Sequence, residues 1–194
     1  MKSLIIINMK QENLDRPDWH QYFLGLAWMV SLRSRDPRTK HGAVITDYNH
    51  IIIGTGYNSF VAGVTDESLP RTAPEKYPLM IHAEKNAILN RSKVQSAVDG
   101  AIIYITGKPC LDCLQTCLQV GIKEFHWLDR KIPTTSLYKE SEEEARLHQW
   151  FLDQKEARIT IHQFNPSWFL SACDKIDDSF ITNKHVTELL AESS

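Results

Sequence analysis

The sequence predicts an α/β protein, a three-layer α/β/α sandwich around a mixed five-stranded sheet. Three observations carry that expectation. Short β-rich runs alternate with stretches whose apolar residues recur every three or four positions, the order of strand and helix in layered α/β folds. A strand such as residues 101–105 is continuously apolar, as strands covered on both faces are, so the sheet is partly parallel. Hydrophobic residues make up 42% of the 194 positions and charged residues 24%, which is ordinary globular usage and enough for one sizeable core.

Over residues 19–34 the apolar positions Trp19, Tyr22, Phe23, Leu26, Ala27, Met29 and Val30 form one helical stripe, and Asp18 is placed to cap it. The Ser34-Arg35-Asp36-Pro37 segment ends that helix, because proline disfavours helical geometry in the residue before it. Residues 42–47 and 50–57 flank Tyr48-Asn49 and read as an antiparallel hairpin. Residues 58–80 contain Gly63, Pro70, Pro74 and Pro78 with little periodicity, and an ordered loop of that length is usually functional. A helix follows over 81–90, a buried strand over 101–105, and a second helix over 110–120 closed by Gly121. A strand over 124–128, a helix over about 140–153 and a strand over 158–164 complete the alternation. Asn165-Pro166 interrupts it, dividing a domain of residues 1–165 from a tail of 166–194 that reads as a docking helix, an oligomer contact or a partly disordered end.

Charge and composition exclude several classes of function. With 22 basic and 24 acidic residues the formal charge is -2, so no general basic field gathers polymeric nucleic acid. The five tryptophans are dispersed and make no stacking platform for single strands. The apolar run of residues 4–7 is too short for a signal peptide, and nothing approaches the roughly 18 apolar residues of a membrane span. A soluble cytoplasmic protein with a small charged ligand is the expectation. In a reducing cytosol the Cys110-Leu-Asp-Cys113 pair reads as metallic or catalytic.

His82-Ala83-Glu84 opens one expected helix, and Pro109-Cys110-Leu-Asp-Cys113 opens another. One imidazole and two thiolates suit zinc, and three protein ligands leave a fourth position for water. Zinc lowers the pKa of that water to about 7. Glu84, two residues from His82, is placed to move protons as general acid and base without occupying the metal. The alternative is a closed structural site completed by Cys117, which would leave Glu84 without a role. The remaining histidines, His20, His41, His50, His126, His148, His162 and His185, have no mutual ligand spacing and read as packing or surface residues.

The order H-x-E followed by P-C-x-x-C resembles the signature of zinc deaminases. Further segments resemble the deoxycytidylate deaminase family, including its phage members: Arg33-Ser-Arg-Asp-Pro-Arg-Thr39, Gly42-Ala-Val-Ile45, Gly56-Tyr-Asn58, Leu69-Pro70, Lys76-Tyr-Pro78, His82-Ala-Glu-Lys-Asn-Ala-Ile88 and Gly121-Ile-Lys123. The resemblance implies a sheet of the cytidine deaminase type, one zinc per chain held by His82, Cys110 and Cys113, and hydrolysis of dCMP to dUMP and ammonia. It places Asn58 near the sugar and base and polar groups of the 34–39 loop, which holds Asp36 and Arg38, near the phosphate, and it counts Ala83 among the substrate-binding residues. Arg33, Arg35, Arg38 and Lys40 supply local positive charge there, although such clusters are also common as solvated turns.

The same resemblance implies regulation by dCTP with Mg2+ as activator and dTTP as inhibitor, and a homo-hexamer. Phe60, Gly63, Asp66, Asn90 and Lys93 would line that effector site. Val61, Val64 and Arg71 depart from the family pattern in this loop. Two other readings of the sequence are a deaminase of the same fold acting on another cytosine or purine substrate, and a noncatalytic zinc-containing nucleotide sensor.

Overall fold

The computed structural model describes residues 5–7, 17–64, 70, 72, 74–91, 98–129 and 140–163. The expected tail, Phe164, Asp66 and Lys93 lie outside the described residues. All five expected strands are present, and a sixth joins them at one edge. In chain order the elements are β1 (Ile5–Ile7), α1 (Trp19–Ser31), β2 (Gly42–Thr46), β3 (Ile52–Tyr57), α2 (Ala83–Leu89), β4 (Ile102–Ile105), α3 (Leu111–Gln119), β5 (Glu124–Asp129), α4 (Glu142–Gln154) and β6 (Arg158–Gln163). A 3₁₀ turn over Tyr77–Leu79 precedes α2. No helix among the described residues is long and apolar enough to cross a membrane.

The sheet order is β1-β6-β5-β4-β2-β3. The hairpin β2–β3 and the β2–β4 pair are antiparallel, whereas β4, β5, β6 and β1 run parallel in succession. The short run of residues 5–7, which the sequence marks only as too short for a signal, finds its place as the parallel edge partner of β6. Side chains alternate between two buried layers. Val44, Ile102, Tyr104 and Leu128 face α1, whose Phe23, Leu24 and Ala27 cover them. Ala43, Ile45, Ile103, Ile105, Phe125 and Trp127 face α2, α3 and α4 through Ala87, Leu114, Cys117 and Leu152. Every residue of β4 is buried, as a central strand between two helical layers requires.

Helix ends follow local chemistry. Asp18 caps α1 and pairs reciprocally with Gln21, and Ser141 does the same for α4 with Glu144. α1 ends at Ser31, three residues before the expected stop. The amides of Leu32, Arg33 and Ser34 bond to the carbonyls of Met29, Val30 and Ser31, tightening the last turn before Pro37 acts.

Two close approaches fix the helices on the sheet. A Cβ at Gly42 would sit 2.0 Å from the Ala27 carbonyl oxygen in α1. At Gly56 it would sit 2.2 Å from the Ala87 amide nitrogen and 2.3 Å from the Ala83 carbonyl oxygen in α2. No other residue type allows backbone to meet backbone at these points.

Under α1 the fold buries a group that no sequence spacing announces. The rings of His20 and His126 stack at 4.2 Å, and His126 Nδ1 lies 2.9 Å from His162 Nε2. His126 Nε2 contacts Glu124 Oε1 at 2.8 Å, His20 Nδ1 reaches the Tyr104 hydroxyl at 3.2 Å, and Arg158 pairs with Glu124. His162 Nδ1 has no partner among the described residues. Desolvation, then the neighbouring His126, pushes His162 down to about 4 and lowers His20 in the same direction. Asp18 opposes this at both rings, and Glu124 opposes it at His20.

Groups with lowered folded-state values bind fewer protons than in the unfolded chain. The His162 contribution is therefore fully present above about pH 6.5 and is lost as pH falls toward about 4, and His20 acts in the same direction. His162 contributes a slope of about 1.4 kcal/mol per pH unit in that window. Urea denaturation at pH 7.5, 6 and 5 should show this loss, and His162→Phe should flatten it by about one proton. Identical slopes in the two proteins would contradict the assignment.

Candidate active site

The first turns of α2 and α3 meet at one end of the sheet. His82 is the N-cap of α2 and Cys110 the N-cap of α3, both extended, with φ of -71° and -69°, and neither side chain caps its helix. They turn instead toward each other. His82 Nδ1 lies 3.4 Å from Cys110 Sγ and 3.3 Å from Cys113 Sγ, and the three donor atoms lie within 4.8 Å of one another. Zinc with Zn–S near 2.3 Å and Zn–N near 2.0–2.1 Å sets neighbouring donors about 3.5 Å apart, so the residues fit the ion. His82 is exposed, Cys110 half-buried and Cys113 buried, which leaves the group accessible from one side.

The two thiols are coupled: a hydrogen bond from Cys113 outweighs burial and, with His82, draws Cys110 down to about 4, while the same bond and burial push Cys113 up, so the pair shares one proton that a bound metal would displace. Cys117 does not join the group. It is fully buried in the core one turn beyond Cys113, and burial pushes its thiol up.

Glu84 also stays out of the converging set, yet it interacts with His82 and with the Cys113 side chain. It is 6% exposed, and desolvation pushes its carboxyl above the usual range. A carboxylate beside a metal position, raised toward neutrality and not consumed as a ligand, is suited to accept and return protons.

Asn58 and Asp36 organise the segment over residues 34–41. Asn58 Oδ1 accepts from the His41 amide at 2.8 Å, and its Nδ2 donates to the Thr39 carbonyl at 2.9 Å. Asp36 Oδ1 accepts from the amides of Arg38 and Thr39, and Asp36 Oδ2 accepts from Lys76 Nζ at 2.5 Å. Burial alone would raise the Asp36 carboxyl, but the hydrogen bonds from Lys76, Thr39 and Arg38 hold it below its usual range. The segment over residues 34–41 is thus held in one shape, with the Arg33, Arg35, Arg38 and Lys40 side chains exposed around it. Ala83 is fully buried, with its carbonyl oxygen against Gly56.

The expected effector residues are separated by what the structure describes. Phe60 is half-buried, Gly63 takes a left-handed φ of +85°, and Asn90 donates to the Thr55 carbonyl at 3.3 Å. The long loop leaves and returns at one point. Ser59 and Ile81 exchange backbone hydrogen bonds of 3.0 and 2.7 Å, immediately before His82.

Sequence reasoning missed two supports of the site. Asn86, one helical turn after His82, donates to the Tyr57 carbonyl and the Ser59 hydroxyl at 2.7 and 3.0 Å, tying α2 to the end of β3. The i, i+4 spacing from His82 is the signal that could have marked it. Lys76 drew notice only as part of a resembling segment, since lysine in a proline-rich loop is normally solvated.

The buried Asp36–Lys76 pair gives a direct test of this segment, because removing one partner strands the other's charge. Lys76→Met should cost about 3 kcal/mol of stability, and the double replacement with Asp36→Asn should recover much of it. Equal stability of Lys76→Met and the parent in urea would show that the pair is not buried in solution.

Comparison with known proteins agrees with this geometry. The family described as "Cytidine and deoxycytidylate deaminase zinc-binding region" matches residues 17–128. The deoxycytidylate deaminase of Mus musculus is 35% identical over 160 residues, covering 79% of this chain and 84% of the relative. That of Homo sapiens is 34% identical over 168 residues, covering 84% and 85%. Among solved structures, the dCMP deaminase of cyanophage S-TIM5, crystallised with dCMP and dUMP, superposes with a TM-score of 0.60 at 23% identity, covering 75% of this chain and 98% of that one. It shares the fold. On the converged His82, Cys110 and Cys113 donors, the adjacent Glu84 and these matches, the chain belongs to the cytidine and deoxycytidylate deaminase family of zinc-dependent hydrolytic deaminases.

Proposed function

We propose that this protein hydrolyses dCMP to dUMP and ammonia, supplying dUMP for thymidylate synthesis. The observation that carries the reading is a three-donor metal centre with a buried carboxylate beside it that is not a ligand. The substrate follows from relatives named as deoxycytidylate deaminases at about a third identity over most of both chains.

His82, Cys110 and Cys113 would hold a zinc ion, which would supply a Lewis acid that lowers the pKa of water to about 7. Glu84 takes the proton that water gives up and delivers it to N3 of the pyrimidine ring, which makes C4 electrophilic. Once the water oxygen has bonded to C4, Glu84 takes the proton that remains on it and passes it to the C4 amine, so the C4–N bond breaks and ammonia leaves as the C4 carbonyl forms. The water oxygen becomes O4 of dUMP, and Glu84 ends ionised as it began. Burial raises the Glu84 carboxyl above its usual range, so it holds a proton between transfers more readily than an exposed carboxylate would. The shaped segment with Asn58, Asp36 and Arg38 receives the nucleotide, its exposed cations facing the phosphate. Ala83 contributes main chain beneath the base.

The reading extends to regulation. Phe60, Gly63, Asp66, Asn90 and Lys93 form the effector site for dCTP with Mg2+ and for dTTP, in a homo-hexamer of cytoplasmic chains. Residues 1–165 form the deaminase domain, and 166–194 a C-terminal tail, either helical or an oligomer contact. The Ser59–Ile81 bridge supports this, because a ligand that orders the loop also bears on the residue preceding His82. An effector shifts such an equilibrium only by its differential affinity for two states, typically about 1–3 kcal/mol.

Ammonia release should be seen with dCMP and not with cytidine, cytosine or tRNA. Glu84→Gln should lower kcat by about 10⁴-fold, the upper end for a general acid and base used more than once. Turnover of the variant within a few fold of the parent would defeat the proton shuttle. Rate curves against dCMP should shift in opposite directions with dCTP plus Mg2+ and with dTTP. Curves unmoved by either would remove the regulation and leave the deaminase standing.

A further inference from the structure

The loop that carries the first thiol is gripped from outside the centre. It runs from Thr106, past the end of β4, to Cys110, and α4 touches it at two successive residues. Glu140, just before α4, binds Lys108 Nζ through both carboxylate oxygens at 2.7 and 2.6 Å. Two turns further on, His148 Nε2 lies 3.2 Å from the Pro109 carbonyl oxygen. His148 is 3% exposed, Trp127 stands edge-on to it with ring centroids 6.4 Å apart, and Leu152 at i+4 anchors the same helix face in the core.

Proline fixes its own φ near -65° but leaves ψ free. The ψ of Pro109 rotates the peptide that joins it to Cys110, and with it the direction of the Cys110 side chain. A donor seated on the Pro109 carbonyl fixes that rotation. We propose that His148 is a positioning residue for the metal centre: its Nε2–H holds the Pro109 carbonyl, and so aims Cys110 at the ion, with the Glu140–Lys108 pair steadying the same loop. This rests on the zinc reading above and not on the identity of the substrate.

The imidazole is suited to the task. Burial, and then the Lys108 ammonium, hold it below its usual pKa, so it is neutral near pH 7 and carries one ring proton to donate. No solvent competes for a carbonyl this deep, since Pro109 is itself buried. Outer partners that orient metal ligands typically carry 10–100-fold in metal affinity or activity.

The test is zinc release to a chromophoric chelator from the purified holoenzyme, followed beside the melting temperature of the metal-free protein. His148→Phe should release zinc about 10–100 times faster than the parent, and His148→Gln, whose amide also donates, should recover most of the difference. Glu140→Gln, on the exposed tether, should accelerate release about two- to fivefold and keeps the fold should His148→Phe not express. Unchanged release in His148→Phe, or a lower melting temperature with unchanged release, would overturn the proposal by making His148 a packing residue. Where His148→Phe does not fold, release at the parent's rate from both His148→Leu and Glu140→Gln would overturn it equally. A parent protein that holds no zinc would instead refute the metal reading on which it rests.

Discussion

The backbone of α2 lies directly against the backbone of β3, with no side chain between them at Gly54 and Gly56. A Cβ at Gly54 would stand 2.4 Å from the Ala87 carbonyl oxygen, and one at Gly56 closer still. This contact decides where α2 begins relative to the sheet. Because His82 and Glu84 sit at its start, the depth of that packing places both the candidate metal ligand and the carboxylate proposed to move protons. Asn86 then pins the rotation of the helix by bonding to the Tyr57 carbonyl and the Ser59 hydroxyl. α3 reaches the same point from the parallel half of the sheet, since β4 ends beside β2 and delivers Cys110 directly into the helix start.

Polar burial is the second constraint, and it is spent on shape. Asn58, Asp36 and Lys76 are all under a tenth exposed, and their hydrogen bonds go to the main chain of residues 38–41 and to each other. Buried charge of this kind adds little net stability over an apolar equivalent. What it does fix is one conformation for a segment of exposed cations, which a mobile loop would lose to entropy on binding an anion. The Ser34 hydroxyl adds to this by donating to the Asn58 carbonyl at 2.9 Å. The two groups are therefore built differently, the His82, Cys110 and Cys113 cluster by helix packing and the 34–41 segment by hydrogen bonds.

How much of this the sequence disclosed depends on the range of each interaction. Cys110 and Cys113 are one helical turn apart and His82 is two residues from Glu84, so each half of the centre is local and legible in spacing. The five main strands were legible for the same reason, since alternation and apolar runs need no partner to be read. Lys76 was not, because it meets Asp36 across 40 positions and looks like any loop lysine until the fold closes. His20, His126 and His162 come from three elements and stack only when α1 settles on the sheet, so their separate positions carry no pattern. His148 likewise reads as one histidine on an amphipathic helix until Pro109 is brought beneath it. The β1 edge strand is three residues long and pairs with the last strand, about 155 positions away, which is beyond any local signal.

The claim on which the account turns is that three residues hold the ion and a fourth, beside it, does not. Metal analysis of purified protein decides this without reference to substrate. The account predicts about one zinc per chain in the parent and in Glu84→Gln, and close to none in Cys113→Ser, because Glu84 moves protons while Cys113 is a ligand. Loss of zinc in Glu84→Gln, or full zinc in Cys113→Ser, would contradict it.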